Sequence, residues 1–180
     1  MAKREAPGQL ELVERFVNTL EVETGVDAIA TPAQLRMWLS DYGLVDRDVR
    51  VRSEDVTRAV ALREALRQLL LANNGGPAAL GALGELDRAA GRAGLAVRFG
   101  GGGVSLTPSR GGVTGALGSV LAIVAASMAD GTWERMKACR ADDCAWAFYD
   151  HTKNRSGRWC SMAVCGNRTK VRAYRARRPG

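Results

Sequence analysis

Residues 139–168, CRADDCAWAFYDHTKNRSGRWCSMAVCGNR, contain all four cysteines of the 180-residue chain. Their spacing is Cys139-x4-Cys144, a fifteen-residue loop, then Cys160-x4-Cys165. Two close pairs joined by a loop can wrap four thiolates tetrahedrally around one zinc ion, each pair supplying one edge of the tetrahedron. Cys139, Cys144, Cys160 and Cys165 are therefore the expected ligands of one structural Zn²⁺, with no coordination position left open. His151, the chain's single histidine, offers an alternative in which it displaces one of the four thiolates. Loss of zinc with disulfide formation on oxidation is a second behaviour open to such a site.

The need for a metal follows from size. A segment of some forty residues with few large aliphatics has a core too small to offset its chain entropy, and zinc supplies the staple. A zinc ion held by four thiolates carries a formal charge of −2, which Lys137, Arg140, Arg158 and Arg168, all near the ligands in sequence, are placed to compensate. On an ideal α-helix, Cys160 and Cys165 would point about 140° apart. The chain is therefore expected to make a turn over 161–164 and break at Gly166 with a positive φ. Asn167 would then cap a new helix running to about Arg177, with Arg168, Arg172 and Arg175 on one face and Val171 and Tyr174 as its docking stripe.

These residues resemble the CGNR zinc finger family, named for the tetrapeptide that is Cys165-Gly166-Asn167-Arg168 here. The likeness extends to Phe148, Asp150, Asn154, Arg158-Trp159-Cys160-Ser161-Met162 and Lys170. Upstream, RFVNTLEVETGVDAIATPAQLRMWL and LREALRQLL are similar to the ABATE domain, an α/β domain that precedes this finger and is associated with stress-induced transcription regulation. The resemblance implies a zinc-bound, DNA-binding regulator of bacterial type.

Outward from the cysteines, the charge is lopsided. Residues 1–132 carry 14 Lys/Arg against 15 Asp/Glu, and residues 133–180 carry 12 against 4, so the net +7 belongs wholly to the last quarter. A localised cationic module is the footprint of a polyanion binder. The expected domains are 1–132 and 133–180. The fold class is α+β: a mainly helical N-terminal domain with a small β-hairpin, then a small four-cysteine zinc-finger module ending in a basic helix.

Within the first domain, helical spacing of Leu12, Val13, Phe16, Val17 and Leu20 predicts a helix over 9–20. Thr31-Pro32 starts another to about Ser40, and Ser53 is expected to cap a third that ends at Asn73-Asn74-Gly75-Gly76-Pro77. A fourth runs from Pro77 to Arg92. Alternation of Leu95, Val97 and Phe99, then Val104 and Leu106 beyond four glycines, predicts a β-hairpin; no Lys-Ser/Thr follows, so the glycine run is not a phosphate loop. The uncharged stretch 111–129 is near bilayer-spanning length, but its glycines and hydroxyl residues favour a buried core helix. With no apolar leader at the N-terminus, a reducing cytoplasmic setting and no membrane partner are expected.

No Ser/His/Asp or Cys/His constellation emerges, and the protein is not expected to be an enzyme. DNA is the expected partner. Lys153, Asn154, Arg155 and Arg158 in the inter-pair loop would contact phosphates, while Asn167, Arg168, Lys170, Arg172 and Arg175 would enter a groove, Asn and Arg being suited to bidentate reading of adenine and guanine. An RNA partner, stacking on Trp146, Tyr149, Trp159 or Tyr174, and an acidic protein partner are the alternatives. Asn18, Thr19 and Trp38 are candidate lining for a small-molecule effector pocket, and a homodimer through the N-terminal helices would add specificity.

Overall fold

The structure is a computed structural model and describes residues 4–101, 103–141 and 143–177. Gly102 of the glycine run, Asp142 and Arg178 lie outside the described residues.

Helix α1 spans Leu10–Val17, shorter than the periodicity predicts, because a two-residue antiparallel pair, β1 (Leu20–Glu21) with β2 (Val26–Asp27), begins immediately after it. Helix α2 (Pro32–Asp41) starts as expected: the Thr31 hydroxyl oxygen accepts from the Gln34 amide at 3.3 Å. Helix α3 (Ser53–Asn73) begins at Ser53, but Ser53 is not its cap. The N-cap is Arg52, whose amide donates to the Asp55 carboxylate at 2.8 Å. Helix α4 spans Leu80–Ala93, followed by the hairpin of β3 (Leu95–Gly100) and β4 (Gly103–Pro108), paired from Leu95↔Pro108 to Gly100↔Gly103.

Helix α5 (Gly112–Ala129) is long and apolar enough to cross a bilayer by length and composition, and here about half of it is buried inside the protein. It packs on α1, α3, α4 and β4. Gly118 permits the closest of these approaches, since a Cβ there would sit 2.6 Å from the Cβ of Ala93 and 3.0 Å from that of Pro108.

Helix α3 is the axis of the molecule, touching α1, α2, α4 and α5. Its Leu62, Leu66 and Leu70 are fully buried against Val13, Phe16, Val17, Ile29, Leu35, Leu39 and Val120. The same core takes in Trp133, from a 3-10 turn at Trp133–Arg135, and Met136, Ala138 and Ala147 from an antiparallel pair not foreseen in the sequence, β5 (Met136–Ala138) with β6 (Ala147–Tyr149). The cysteine segment thus grows directly out of the core of the helical part. A π-helical turn, Met162–Gly166, and helix α6, Asn167–Ala176, complete the chain.

Candidate zinc centre and cationic surface

Strands β5 and β6 carry the first cysteine pair. Cys139 follows β5, and its amide donates to the Trp146 carbonyl at 2.9 Å, while the Cys144 amide donates to Ala141 O at 2.9 Å. Ala145 closes this knuckle in the left-handed region, at φ 47°. The second pair flanks the π-turn, which Ser161 caps by accepting from the Val164 amide. The Gly166 amide reaches back to Ser161 O at 3.1 Å, an i→i+5 bond. This wider turn brings the fifth residue back toward the first, so the Sγ atoms of Cys160 and Cys165 lie 3.7 Å apart.

The four Sγ atoms all lie within 4.8 Å of one another, with Cys144 and Cys160 at 3.6 Å and no disulfide among them. Tetrahedral Zn–S bonds require S···S separations of about 3.8 Å. Cys139 and Cys165 are buried; Cys144 and Cys160 are half-buried, with Trp146 and Trp159 packed against the cluster. The four cysteines form one structural zinc site. Without metal, hydrogen bonds from the Cys144 and Cys160 thiols hold Cys139 well below the usual thiol range, and the same bonds push Cys144 and Cys160 up. His151 is used elsewhere: its ring packs on Tyr149, with centroids 4.8 Å apart, and its Nε2 lies 3.1 Å from the Glu5 carbonyl.

The CGNR tetrapeptide differs from expectation at Gly166. Its φ is −62° and the chain continues from the π-turn into α6 without a break. Glycine serves close approach here, because a Cβ would meet Met162 Sδ at 2.4 Å and Trp159 Cδ1 at 3.1 Å. Asn167 does not cap α6 as an acceptor; it is the first helical residue, and its side-chain amide donates to Ala163 O at 3.1 Å. Arg168 approaches the metal site, with Nη2 3.8 Å from Cys165 Sγ, and pairs with Glu23 at 2.7 Å and Asp143 at 3.1 Å. Arg172 also pairs with Asp143, at 2.8 Å, and that bond helps hold the Asp143 carboxyl below its ordinary range.

Lys137 does not compensate the zinc charge. On β5, Met136 and Ala138 enter the core, so Lys137 points to the opposite face. There it is 4% exposed and pairs with the buried Asp150 at 2.7 Å. The Lys137 ammonium also donates to the carbonyls of Arg155 and Gly157. Asp150 accepts in addition from Thr152 N, Thr152 Oγ1 and Gly157 N. Burial alone would raise its pKa, yet the Lys137 bond, with those from Thr152 and Gly157, lowers it to about 2. The inter-pair loop is wound around this ion pair, leaving Lys153, Asn154, Arg155 and Arg158 exposed on its outside.

The cations among the predicted contact residues fall into two groups. Arg155, bonded to Glu134, and Arg168 and Arg172 carry ion pairs with acids of the chain itself. Lys153, Arg158, Lys170 and Arg175 are exposed and form no ion pair among the described residues. Helix α6 buries no side chain. Val171 and Tyr174, expected to dock it, are about half exposed, as are Met162 and Val164.

Besides Glu23, which pairs with Arg168, four polar side chains of the helical part join it to the zinc module through its backbone, and sequence reasoning missed this role for all of them. Asn18 exchanges two bonds with Ala147, donating to its O at 3.0 Å and accepting from its N at 2.7 Å. Arg67, 5% exposed, donates to Ala145 O, Val17 O and Leu20 O. Asn73 donates to the carbonyls of Trp133 and Met136, and Asn74 to those of Ala138 and Arg158. Asn18, Thr19 and Trp38 do line one cavity. Asn18 is occupied by Ala147, however, Thr19 by the Phe16 carbonyl and Arg63, and the Trp38 ring packs against Phe16 and Tyr42.

A helical domain fused through its core to a four-cysteine knuckle defines a zinc-finger protein. The chain belongs to the ABATE family, "Putative stress-induced transcription regulator", which matches residues 10–131, and carries a CGNR zinc finger at residues 135–178. A search among curated proteins gave no match.

Proposed function

We propose that this protein is a DNA-binding transcription regulator whose zinc module carries the DNA contacts. The observation that supports this reading is the division of its cations. Arg168, Arg172 and Arg155 neutralise internal acids, whereas Lys153, Arg158, Lys170 and Arg175 face solvent without ion pairs among the described residues. Counterion release makes such cations the main source of affinity for a duplex. Asn154, exposed beside Lys153, is the residue of the loop suited to an adenine edge.

The test is the salt dependence of binding to duplex DNA. Four phosphate contacts give a slope of log affinity against log salt of about −3.6. Replacing Lys170 and Arg175 with alanine should reduce its magnitude by about 1.8, with zinc content unchanged. Replacing Arg168 and Arg172 should instead loosen the packing of α6. A slope untouched by the first pair would remove α6 from the interface, and absence of duplex binding would sink the reading. Tighter binding to structured RNA would replace DNA by RNA.

The half-exposed Met162, Val164, Val171 and Tyr174 favour a second reading, an acidic protein partner docked on the π-turn and α6. Its signature is no nucleic-acid affinity together with capture of a partner that Val171→Asp abolishes.

A further inference from the structure

The β3–β4 hairpin has one apolar face, and only the inner end of that face has something to pack on. Residues paired across an antiparallel hairpin project from the same side. Here that side carries Leu95 with Pro108, Val97 with Leu106, and Phe99 with Val104. Leu95 and Pro108 lie on α5, where a Cβ on Gly118 would sit 3.6 Å and 3.0 Å from their side chains. Farther out, Val97 is 50% exposed, Val104 67% and Phe99 83%. We infer that a second copy of this chain covers this overhang, the Phe99 ring of each copy entering a socket beside the hairpin of the other. The inference does not depend on what the cationic surface binds.

The socket is a hollow of about 540 Å³ between β4, α5 and the segments that carry Leu12 and Leu44. Val104 and Leu106 form part of its wall, so the overhanging face and the socket are continuous on one surface. Leu12, Leu44, Ile123 and Ala126 also line it, and no charged side chain does among the described residues. Helix α5, which supplies Ile123 and Ala126, has no charged residue from Gly112 to Ala129. Exposed apolar surface that runs on without interruption in this way marks an interaction site.

The occupant is a second copy because the chain supplies both halves of the contact. The overhang needs an apolar socket and the socket an apolar knob, and a two-fold axis joins two of each with none left over. Charge agrees with this pairing. The single charged residue of the hairpin is Arg98, next to Phe99; it is exposed and forms no ion pair among the described residues. Tyr42 and Leu44 of the socket belong to residues 41–48, DYGLVDRD, where exposed Asp41, Asp46 and Asp48 stand against Arg47, a formal −2. Phe99 seated in the partner copy therefore brings a cation to an acidic segment. Within the contact nothing is charged, so two identical faces meet without setting like charges against each other.

The test sediments the full zinc-loaded chain over a range of concentrations, with a phosphine reductant present so that no disulfide contributes. A reversible dimer is expected. Phe99→Asp should weaken it about a thousandfold, since a central hot-spot residue counts about thirtyfold and the two-fold axis counts it twice. Ala126→Arg, at an exposed position of the socket, should weaken it as well. Mixing the two variants should restore part of the association, because the new carboxylate then meets the new guanidinium while the second contact stays native. Leu80→Asp, at a residue of α4 that is 78% exposed, should change nothing. Both Phe99 and Ala126 are exposed, so neither variant disturbs the fold. A monomer at every concentration up to about 1 mM overturns the inference and gives the face to an unlike partner. A dimer indifferent to Phe99→Asp, or weakened equally by Leu80→Asp, overturns it too, and no gain on mixing overturns the seating of Phe99 in the socket.

Discussion

Replacing Cys160 with serine is expected to abolish stoichiometric zinc binding and to unfold residues 159–176, while the helical part stays folded. Structural zinc contributes on the order of 10–16 kcal/mol apparent in small finger peptides. Little else holds this end: apart from the cysteines themselves, the cluster around the site buries only Ala141 among the described residues, and α6 buries nothing. Strands β5 and β6 should survive, because Met136, Ala138 and Ala147 belong to the main core and Asn18, Asn73 and Asn74 hold their backbones. Hydrogen exchange should therefore show protection lost over 159–176 and kept over Ser53–Asn73. Zinc per chain, read by mass spectrometry under native conditions, should fall from one toward zero. Full occupancy in the serine variant would refute the four-thiolate assignment. Zinc is held by thiolates, so its binding releases protons and its affinity should fall steeply as pH falls.

Asp150→Ala is the second large effect expected, a loss of about 3–5 kcal/mol, because it leaves the buried Lys137 ammonium without its counter-charge. It also strips acceptors from Thr152 N and Gly157 N, so the loop that presents Lys153 and Arg158 should lose its shape. Urea denaturation of the zinc-loaded protein measures the first effect; loss of hydrogen-exchange protection over residues 151–158 with zinc retained measures the second. A double variant, Lys137→Met with Asp150→Leu, should recover part of the stability but not the loop. The Asp150 carboxyl titrates at about 2 in the folded protein, below its unfolded value near 3.9. Its contribution, about 2 kcal/mol, is thus complete above about pH 4 and lost as pH falls through 2. A loss of only a few tenths of a kcal/mol on removing Asp150 would mean that Lys137 is reached by water.

The zinc ligands were legible because four thiols in two close pairs form a pattern with few alternatives, α2 because its Thr31-Pro32 start agrees with its periodicity, and α3 and the β3–β4 hairpin from periodicity, although Arg52 and not Ser53 caps α3. What stayed hidden depends on distant partners. Strands β5 and β6 are three residues each, too short for alternation to register, and the knuckle sets their pairing. Arg168 and Arg172 share a face with Arg175 as their spacing requires, yet Glu23 and Asp143, which occupy two of them, lie on other segments. Gly166 was correctly singled out for the wrong reason: the ideal-helix angle between Cys160 and Cys165 demanded a departure from α geometry, and the chain meets it with a π-turn. Asn73 and Asn74 read as a helix terminus, which they are. Nothing local reveals that their amides reach 60–84 residues along the chain.

Asn18, Arg67, Asn73 and Asn74 grip the zinc module entirely by its peptide groups, never by its side chains. The grip is therefore indifferent to which amino acids decorate the outer surface. Lys153, Asn154, Lys170 and Arg175 can be exchanged without disturbing these four mounting contacts. Outer surface and attachment are therefore separable in this chain, and a designer could graft a new surface onto it with three asparagine side chains and one arginine side chain left in place.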